Sequence, residues 1–195
     1  MQTEIEAKWL NIDHAKFREI LQKAGAKLEH PDRLMRRHNF HHPEAQAKHG
    51  WVRVRDEGSK VTLSYKEMAS RSLHGMQEIN LVVDDFDKAC DFVSAINFRT
   101  ANYQETRRES WKLGNVEIEL DTWPWIPGFT EIEAPTEELF NSTATKLGLD
   151  VKDAVYGDVA IAYQAVYNIP DEYEVYNWPE IKFIQVPEWL ETRRV

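Results

Sequence analysis

The chain opens with a stretch in which charged and apolar residues alternate, which is typical of a β-strand. Over residues 3–9, Glu4, Glu6 and Lys8 fall on one face of the extended chain, and apolar residues fall on the other. Residues two apart on one strand face lie about 7 Å from each other. Two carboxylates at that distance repel each other by roughly 2 kcal/mol at an effective dielectric constant of 20. Such a pair needs water or a neighbouring cation.

The same alternation recurs along the chain and predicts a predominantly β structure. Strands are predicted over residues 33–40, 51–55, 61–66, 78–83, 104–113, 115–121 and 129–134, and residues 181–186 can form another. Residues 56–59 are a turn that makes a hairpin of the second and third of these strands.

Apolar residues at helical spacing predict four helices between the strands. They cover residues 13–25, with Asp13 as N-cap and Gly25 as the stop, then 85–96, 135–148 and 153–167. The economical arrangement is an α+β fold in which an antiparallel sheet packs its apolar face under the helices. Its charged face is then open to water, or turned inward by closure of the sheet into a barrel.

The charges on the polar strand faces are segregated by sign, which an open sheet does not predict. The cationic set is Arg53, Arg55, Lys66 and Arg108, and the anionic set is Glu4, Glu6, Glu117, Glu119, Asp121, Glu131 and Glu133. Carboxylates crowded together suit Mg²⁺ or Mn²⁺, which prefer hard oxygen ligands. Guanidinium and ammonium groups suit a polyphosphate. The pattern leaves open a solvated sheet face and a tunnel that binds a metal–triphosphate complex.

Composition narrows the classes of function. The 195 residues suffice for one domain with a sizeable core, and the formal net charge of −9 disfavours a nucleic-acid polymer or an anionic membrane as partner. Cys90 is the only cysteine, which excludes an intrachain disulfide. The N-terminus lacks an apolar signal segment, and no apolar run is long enough to cross a bilayer, so a cytoplasmic location is expected. A metal site at His38, His41 and His42 is disfavoured, because no complementary ligand cluster accompanies them.

Seven sequence elements, in order, resemble the CYTH family of triphosphate tunnel metalloenzymes. That family includes class IV adenylyl cyclases, thiamine triphosphatases and inorganic triphosphatases. The matching elements are E-x-E-x-K at residues 4–8, R-x-R at 53–55, Lys66, Glu78, Arg107–Arg108, Glu119–Asp121 and the segment from Gly128 to Glu133.

The resemblance implies an eight-stranded antiparallel β-barrel with a charged interior, helices packed outside and two divalent-metal positions. The implied metal ligands are Glu4, Glu6, Asp121, Glu131 and Glu133. The implied triphosphate ligands are Lys8, Arg53, Arg55, Lys66 and Arg108, and Glu4, Glu6, Lys8 and Lys66 are the implied catalytic set. Arg107 is an alternative to Arg108, which is favoured because it shares a strand face with Thr106 and Ser110. Glu78 and Glu119 have secondary roles.

The resemblance fades past about residue 150. The family has a further basic residue near the end of its sequence, for which Lys152 and Lys182 are the candidates here. We expect a tunnel domain over residues 1–170 and a C-terminal extension over 171–195 packed on it.

Two classes of function remain from the sequence. The favoured one is an enzyme that uses Mg²⁺ or Mn²⁺, expected as a pair of ions. It hydrolyses inorganic triphosphate or an organic or nucleoside triphosphate. The alternative enzyme is an adenylyl cyclase that makes cyclic AMP and pyrophosphate from ATP. The other class is a module that binds polyphosphate or a nucleotide without turnover. The partner is a small triphosphate, and a homodimer is an open alternative to a monomer.

Overall fold

A computed structural model describes residues 1–171 and 173–195, which form ten strands and seven helices. The strands are β1 (Gln2–Glu4), β2 (Glu6–Trp9), β3 (Lys27–His41), β4 (Gly50–Asp56), β5 (Val61–Met68), β6 (Met76–Val83), β7 (Arg99–Leu113), β8 (Val116–Thr122), β9 (Phe129–Glu133) and β10 (Glu180–Ile181). The helices are α1 (His14–Ala24), α2 (Pro43–Gln46), α3 (Phe86–Ala95), α4 (Glu137–Lys146), α5 (Ala160–Gln164), α6 (Tyr173–Tyr176) and α7 (Glu188–Glu191).

The sheet closes on itself through its first strand. The strand order is β1-β6-β5-β4-β3-β7-β8-β9-β2, and every neighbouring pair in this order is antiparallel. Because β1 and β2 follow one another in the chain, they join the two ends of the sheet. The predicted antiparallel barrel is confirmed; it has nine strands, or eight if β1 and β2 count as one interrupted strand.

The interruption lies at Ile5, where the first strand changes partners. The Ile5 carbonyl accepts a hydrogen bond of 3.0 Å from the amide of Ala134, and the Glu6 amide donates one of 3.3 Å to Leu73. Glu4 and Glu6 therefore pair with different strands, β6 and β9, although both line the interior. Closure also removes the unpaired edges that an open sheet would expose.

The outer face of the barrel packs under the helices, as its apolar residues predict. Helix α1 has Asp13 as N-cap and Gly25 in the left-handed conformation (φ 81°) as C-cap, which confirms its predicted limits. It buries Phe17 and Leu21 in one core with the outward residues of β2, β8 and β9 and with Phe140 of α4. Helix α3 covers a second core on β3 and β4.

The chain after α4 departs from the prediction. The prediction of a single helix over 153–167 is wrong. A short 3₁₀ turn at Val151–Asp153 is followed by irregular chain, and only then by α5. Gly157 adopts φ +105°, a conformation that a helix interior does not allow. The predicted strand over 181–186 is reduced to β10, which pairs with β7 in parallel.

The C-terminal segment packs against one end of the barrel in a third core. Trp178, Ile181 and Leu190 are buried there together with Trp123 and Phe129 of the barrel. None of the helices in the described parts of the chain is long and apolar enough to span a membrane.

Candidate functional site

The barrel encloses a cavity of about 560 Å³ whose walls are mostly charged. Glu117 of the anionic set lines it, as do twelve of the residues to which the resemblance gave a role: Glu4, Glu6, Lys8, Arg53, Arg55, Lys66, Glu78, Arg108, Glu119, Asp121, Glu131 and Glu133. Strand register explains why they meet, since residues directly opposite on antiparallel strands share a face. Lys8 is opposite Glu131, Lys66 opposite Glu78, and Arg108 opposite Asp121.

Lys8 is buried against carboxylates and against the C-terminal part of the chain. Its Nζ lies 2.9 Å from Glu131 and 3.6 Å from Glu6, and donates a 2.8 Å hydrogen bond to the carbonyl of Gly157. Burial alone would lower the pKa of Lys8, but Glu131 and Glu6 outweigh it, so the pKa is raised. Burial would likewise raise the pKa of Glu131, but Lys8 and Arg108 lower it. Both groups are charged at neutral pH.

A second cluster joins β1, β4, β5 and β6. Lys66 Nζ is 2.9 Å from Glu4 and 3.4 Å from Glu78, which is also 3.4 Å from Arg53. Burial and a hydrogen bond to Glu78 raise the pKa of Glu4 to about 8 despite Lys66. The pKa of Glu78 is lowered: burial opposes this, but the hydrogen bond with Glu4 and the charges of Lys66 and Arg53 prevail. Burial, the hydrogen bond between them and the neighbouring cations thus shift the pKa values of the two carboxyl groups in opposite directions.

Arg108 makes a bidentate ion pair with Asp121: its Nε and one Nη donate to the two carboxylate oxygens at 2.7 and 2.6 Å. Glu131 lies 3.7 Å and Glu119 4.0 Å from the same guanidinium. Burial would lower the pKa of Arg108, but these carboxylates raise it. Two strands away from Arg108 in the barrel order, Arg55 of β4 pairs with Glu57 at 2.6 Å, a carboxylate that the sequence did not single out.

Carboxylates line the cavity across β2, β9 and β8. Glu133 of β9 is opposite Glu6 of β2 on one side and Glu117 of β8 on the other. Burial, followed by the charges of Glu6, Glu131 and Glu117, raises the pKa of Glu133 to about 7. Burial, with the nearby Asp121, raises that of Glu119 to about 7 although Arg108 opposes the shift. Like charges directly opposite on paired strands are destabilising, so this row favours a bound cation.

These donors fit a hard divalent cation by their chemistry, since all are carboxylate oxygens. In residues 1–171 and 173–195, however, no three such ligands are already gathered around one point. Three of the five predicted ligands, Glu4, Asp121 and Glu131, are engaged by lysine or arginine. Of the other two, Glu6 lies 3.6 Å from Lys8, and Glu133 has no lysine or arginine of the described residues within 4.0 Å.

Two of the secondary candidates lie outside the cavity. Arg107 is on the outer face of β7, where it pairs with Asp32. Lys182 pairs with Glu180 at 2.7 Å on the surface and lies over the ring of Tyr103. Alternation along β7 places Arg107 and Arg108 on opposite faces, so only Arg108 can reach the interior.

The structure adds cavity residues that sequence reasoning missed. They are Arg33 and Arg37 of β3, Glu57, and from the C-terminal part Asp158, Val159, Val175 and Tyr176. Arg33, Met35, Arg37 and Asn39 follow the period-two pattern that identified the other strands, so the two arginines could have been found. The C-terminal residues carry no such signal.

A closed antiparallel barrel with paired lysines, arginines and carboxylates inside defines a tunnel protein suited to a polyanion and cations. The chain belongs to the CYTH family: the model of the CYTH domain matches residues 2–146. A comparison with curated proteins found no significant match.

Solved structures share the fold at low sequence identity. PH1012 from Pyrococcus horikoshii is 24% identical with a TM-score of 0.66, over 77% of this chain and 93% of that one. A protein from Vibrio parahaemolyticus described as a candidate adenylate cyclase is 13% identical with a TM-score of 0.69, over 84% and 98%. HpAC1 from Hippeastrum, described as a candidate adenylyl cyclase with a dominant triphosphatase activity, is 16% identical with a TM-score of 0.53, over 79% and 90%. At these identities the likeness concerns the fold.

Proposed function

We propose that this chain is a divalent-metal-dependent triphosphatase, which hydrolyses inorganic triphosphate or an organic or nucleoside triphosphate. One observation carries the proposal: two buried arginines and two buried carboxylates lie across the same tunnel from each other. In the barrel order, β4 and β9 are four strands apart, so Arg53 and Arg55 face Glu131 and Glu133 across the interior. A metal–triphosphate complex presents anionic oxygens to the first pair and a cation to the second.

The triphosphate would be bound by Lys8, Arg53, Arg55, Lys66 and Arg108. Each of these residues contacts a carboxylate in the ligand-free protein, at the distances given above. A triphosphate would replace those carboxylates as the partner of the cations. Arginine is suited to this exchange because its planar guanidinium binds two phosphoryl oxygens at once.

The carboxylates released in this exchange would bind the metal. Glu4, Asp121 and Glu131 would then join Glu6 and Glu133 as oxygen ligands for Mg²⁺ or Mn²⁺. Bound there, the metal would supply charge neutralisation on phosphoryl oxygens and a water of lowered pKa. Cation binding and triphosphate binding are therefore expected to favour each other, since each frees partners of the other.

Hydrolysis is favoured over cyclisation because it makes fewer demands on the site. Cyclisation of ATP requires the ribose hydroxyl to be in line with the α-phosphorus, and therefore a binding site that holds the adenine. The cavity residues that support the proposal would contact phosphate or metal, and none of them is assigned to an adenine. The triphosphatase activity described for HpAC1 is consistent with this choice.

The test is incubation of the pure protein with inorganic triphosphate and, separately, with ATP, in the presence of Mn²⁺ or Mg²⁺. We expect orthophosphate, released faster from inorganic triphosphate than from ATP, and no release in EDTA or with E6Q. Cyclic AMP and pyrophosphate from ATP would contradict the proposal in favour of a cyclase. Tight binding of triphosphate without product would contradict it in favour of a binding module.

A further inference from the structure

Arg37 is a buried arginine whose side chain faces the interior of the barrel. In β3 it lies directly opposite Arg55 of β4 on one side and Gln104 of β7 on the other. Only 6% of the residue is exposed, and it lines the cavity. The neighbouring residue Arg36 has its side chain on the outer face, where it pairs with Asp56 at 3.1 Å. The two adjacent arginines therefore occupy opposite faces of the same strand.

The contacts of Arg37 leave its charge without an anionic partner. One Nη donates to Thr106 Oγ1 at 2.5 Å, and the guanidinium lies 4.8 Å from the ring centre of Trp123. Its Nε is buried and makes no hydrogen bond to any residue of the described ranges. The other cavity-lining lysines and arginines of those ranges each have a carboxylate within 4.0 Å: Lys8, Arg33, Arg53, Arg55, Lys60, Lys66 and Arg108. Arg37 has none.

The nearest charges make this arrangement costly in the absence of a ligand. Burial, together with the positive charges of Arg55, Arg53 and Arg108, holds the pKa of Arg37 well below its ordinary value. The charge of Asp121 opposes this shift but is outweighed. A guanidinium nevertheless keeps its proton at physiological pH, so the group cannot escape the cost by becoming neutral. Buried charges in proteins are normally paired. Contact with an indole ring compensates for only part of the missing anion.

We propose that Arg37 binds the terminal phosphoryl group of the substrate, together with Arg53 and Arg55. This inference rests on the proposed function and specifies which end of the polyphosphate lies in which half of the tunnel. A terminal phosphoryl group carries three acceptor oxygens and up to two negative charges, which suits three guanidinium groups. An internal phosphate has two free oxygens and one charge. The three arginines lie across the barrel from Glu131 and Glu133, so this phosphoryl group is neutralised by protein cations.

The test compares a linear triphosphate with trimetaphosphate, a cyclic triphosphate that has no terminal phosphoryl group. Binding is measured by calorimetry in EDTA, so that turnover plays no part. The wild type is expected to bind the linear form more tightly. R37M should weaken binding of the linear form at least tenfold and of the cyclic form less than threefold, whereas R36M, the matched control, should change neither.

Thermal unfolding without ligand separates this role from a structural one. R37M keeps an unbranched apolar side chain close to the length of the arginine stem and removes the unpaired buried charge, so its melting temperature should equal or exceed that of the wild type. A role limited to the Thr106 and Trp123 contacts predicts a lower melting temperature and unchanged ligand preference, which would overturn the proposal. If R37M does not fold, the same calorimetry on R37K decides, because lysine keeps the charge but lacks the planar guanidinium. R37K should weaken binding of the linear triphosphate and not of the cyclic one.

The outcomes also separate this inference from the proposed function. Failure of the wild type to bind linear triphosphate would overturn both. Binding by the wild type with an unchanged preference in R37M or R37K would overturn only the role of Arg37.

Discussion

Replacement of Glu133 by glutamine is expected to stabilise the ligand-free protein at alkaline pH. Glu133 lies between Glu6 and Glu117 on neighbouring strands, and no lysine or arginine of the described ranges is within 4.0 Å of it. Glutamine has nearly the same shape and carries no charge. The substitution therefore removes the repulsion while it preserves the packing of β9.

The size and pH range follow from the raised pKa. The pKa of Glu133 is about 7 in the folded protein, against an ordinary value of 4.5. At 1.36 kcal/mol per unit, ionisation of this group costs at most about 3 kcal/mol of stability. Below pH 4.5 the carboxyl group is protonated in both states and costs nothing. As pH rises from 4.5 to 7 the folded state retains a proton that the unfolded chain has lost, so the wild type loses stability relative to E133Q.

The assay is urea unfolding in EDTA at several pH values between 5 and 8.5. We expect E133Q and the wild type to be similar near pH 5 and E133Q to be more stable at pH 8. E131Q is the matched control, two residues away on the same strand. It should be destabilised, because it loses the 2.9 Å contact with Lys8 and leaves that ammonium buried.

Two results would refute this reasoning. One is an equal advantage of E133Q at all pH values, which would show that the effect is not electrostatic. The other is a loss of stability at pH 8, which would show that the Glu133 carboxylate has a stabilising partner. Addition of Mn²⁺ should reverse the order at pH 8, because the metal offsets the repulsion only in the wild type.

Three further predictions address the remaining parts of the site. R53A and R55A should each weaken triphosphate binding by on the order of 2 kcal/mol, because each removes a buried cation; calorimetry checks this, and an unchanged affinity for triphosphate would argue against a triphosphate clamp. E6Q should abolish metal-dependent phosphate release while its circular dichroism spectrum stays native; retained activity would remove Glu6 from the metal ligands. W178A should destabilise the whole domain by about 3–5 kcal/mol, since Trp178 is buried against barrel residues; a separate early unfolding transition would instead indicate that the C-terminal segment is an independent unit.

The sequence by itself determined the local structure and the composition of the tunnel wall. Helix α1 could be delimited because Asp13 and Gly25 each have a capping role that depends on a few neighbouring residues. The β4–β5 hairpin and the inward face of Arg53 and Arg55 followed from alternation, which is also a local property. The segregation of charge by sign raised the possibility of a closed tunnel but left a solvated sheet face as the alternative, until the resemblance to the family favoured the tunnel.

The tertiary structure decided what depends on contacts distant in sequence. The break at Ile5 exists because the first strand must pair with both β6 and β9 to close the barrel. The helix predicted up to residue 167 is shortened where the hydroxyls of Tyr163 and Tyr167 donate to the carbonyls of Pro124 and Trp125, which fixes this chain against the barrel instead.

The same holds for the charges of the tunnel. Alternation placed the carboxylates and cations on one face, but it could not say which of them pair. Only barrel closure brings Glu4 to Lys66 and Glu131 to Lys8, and leaves Arg37 among arginines with no carboxylate of the described ranges within 4.0 Å. Ion pairing depends on distances of a few ångströms between strands remote in sequence, and those distances are fixed by the register of the sheet.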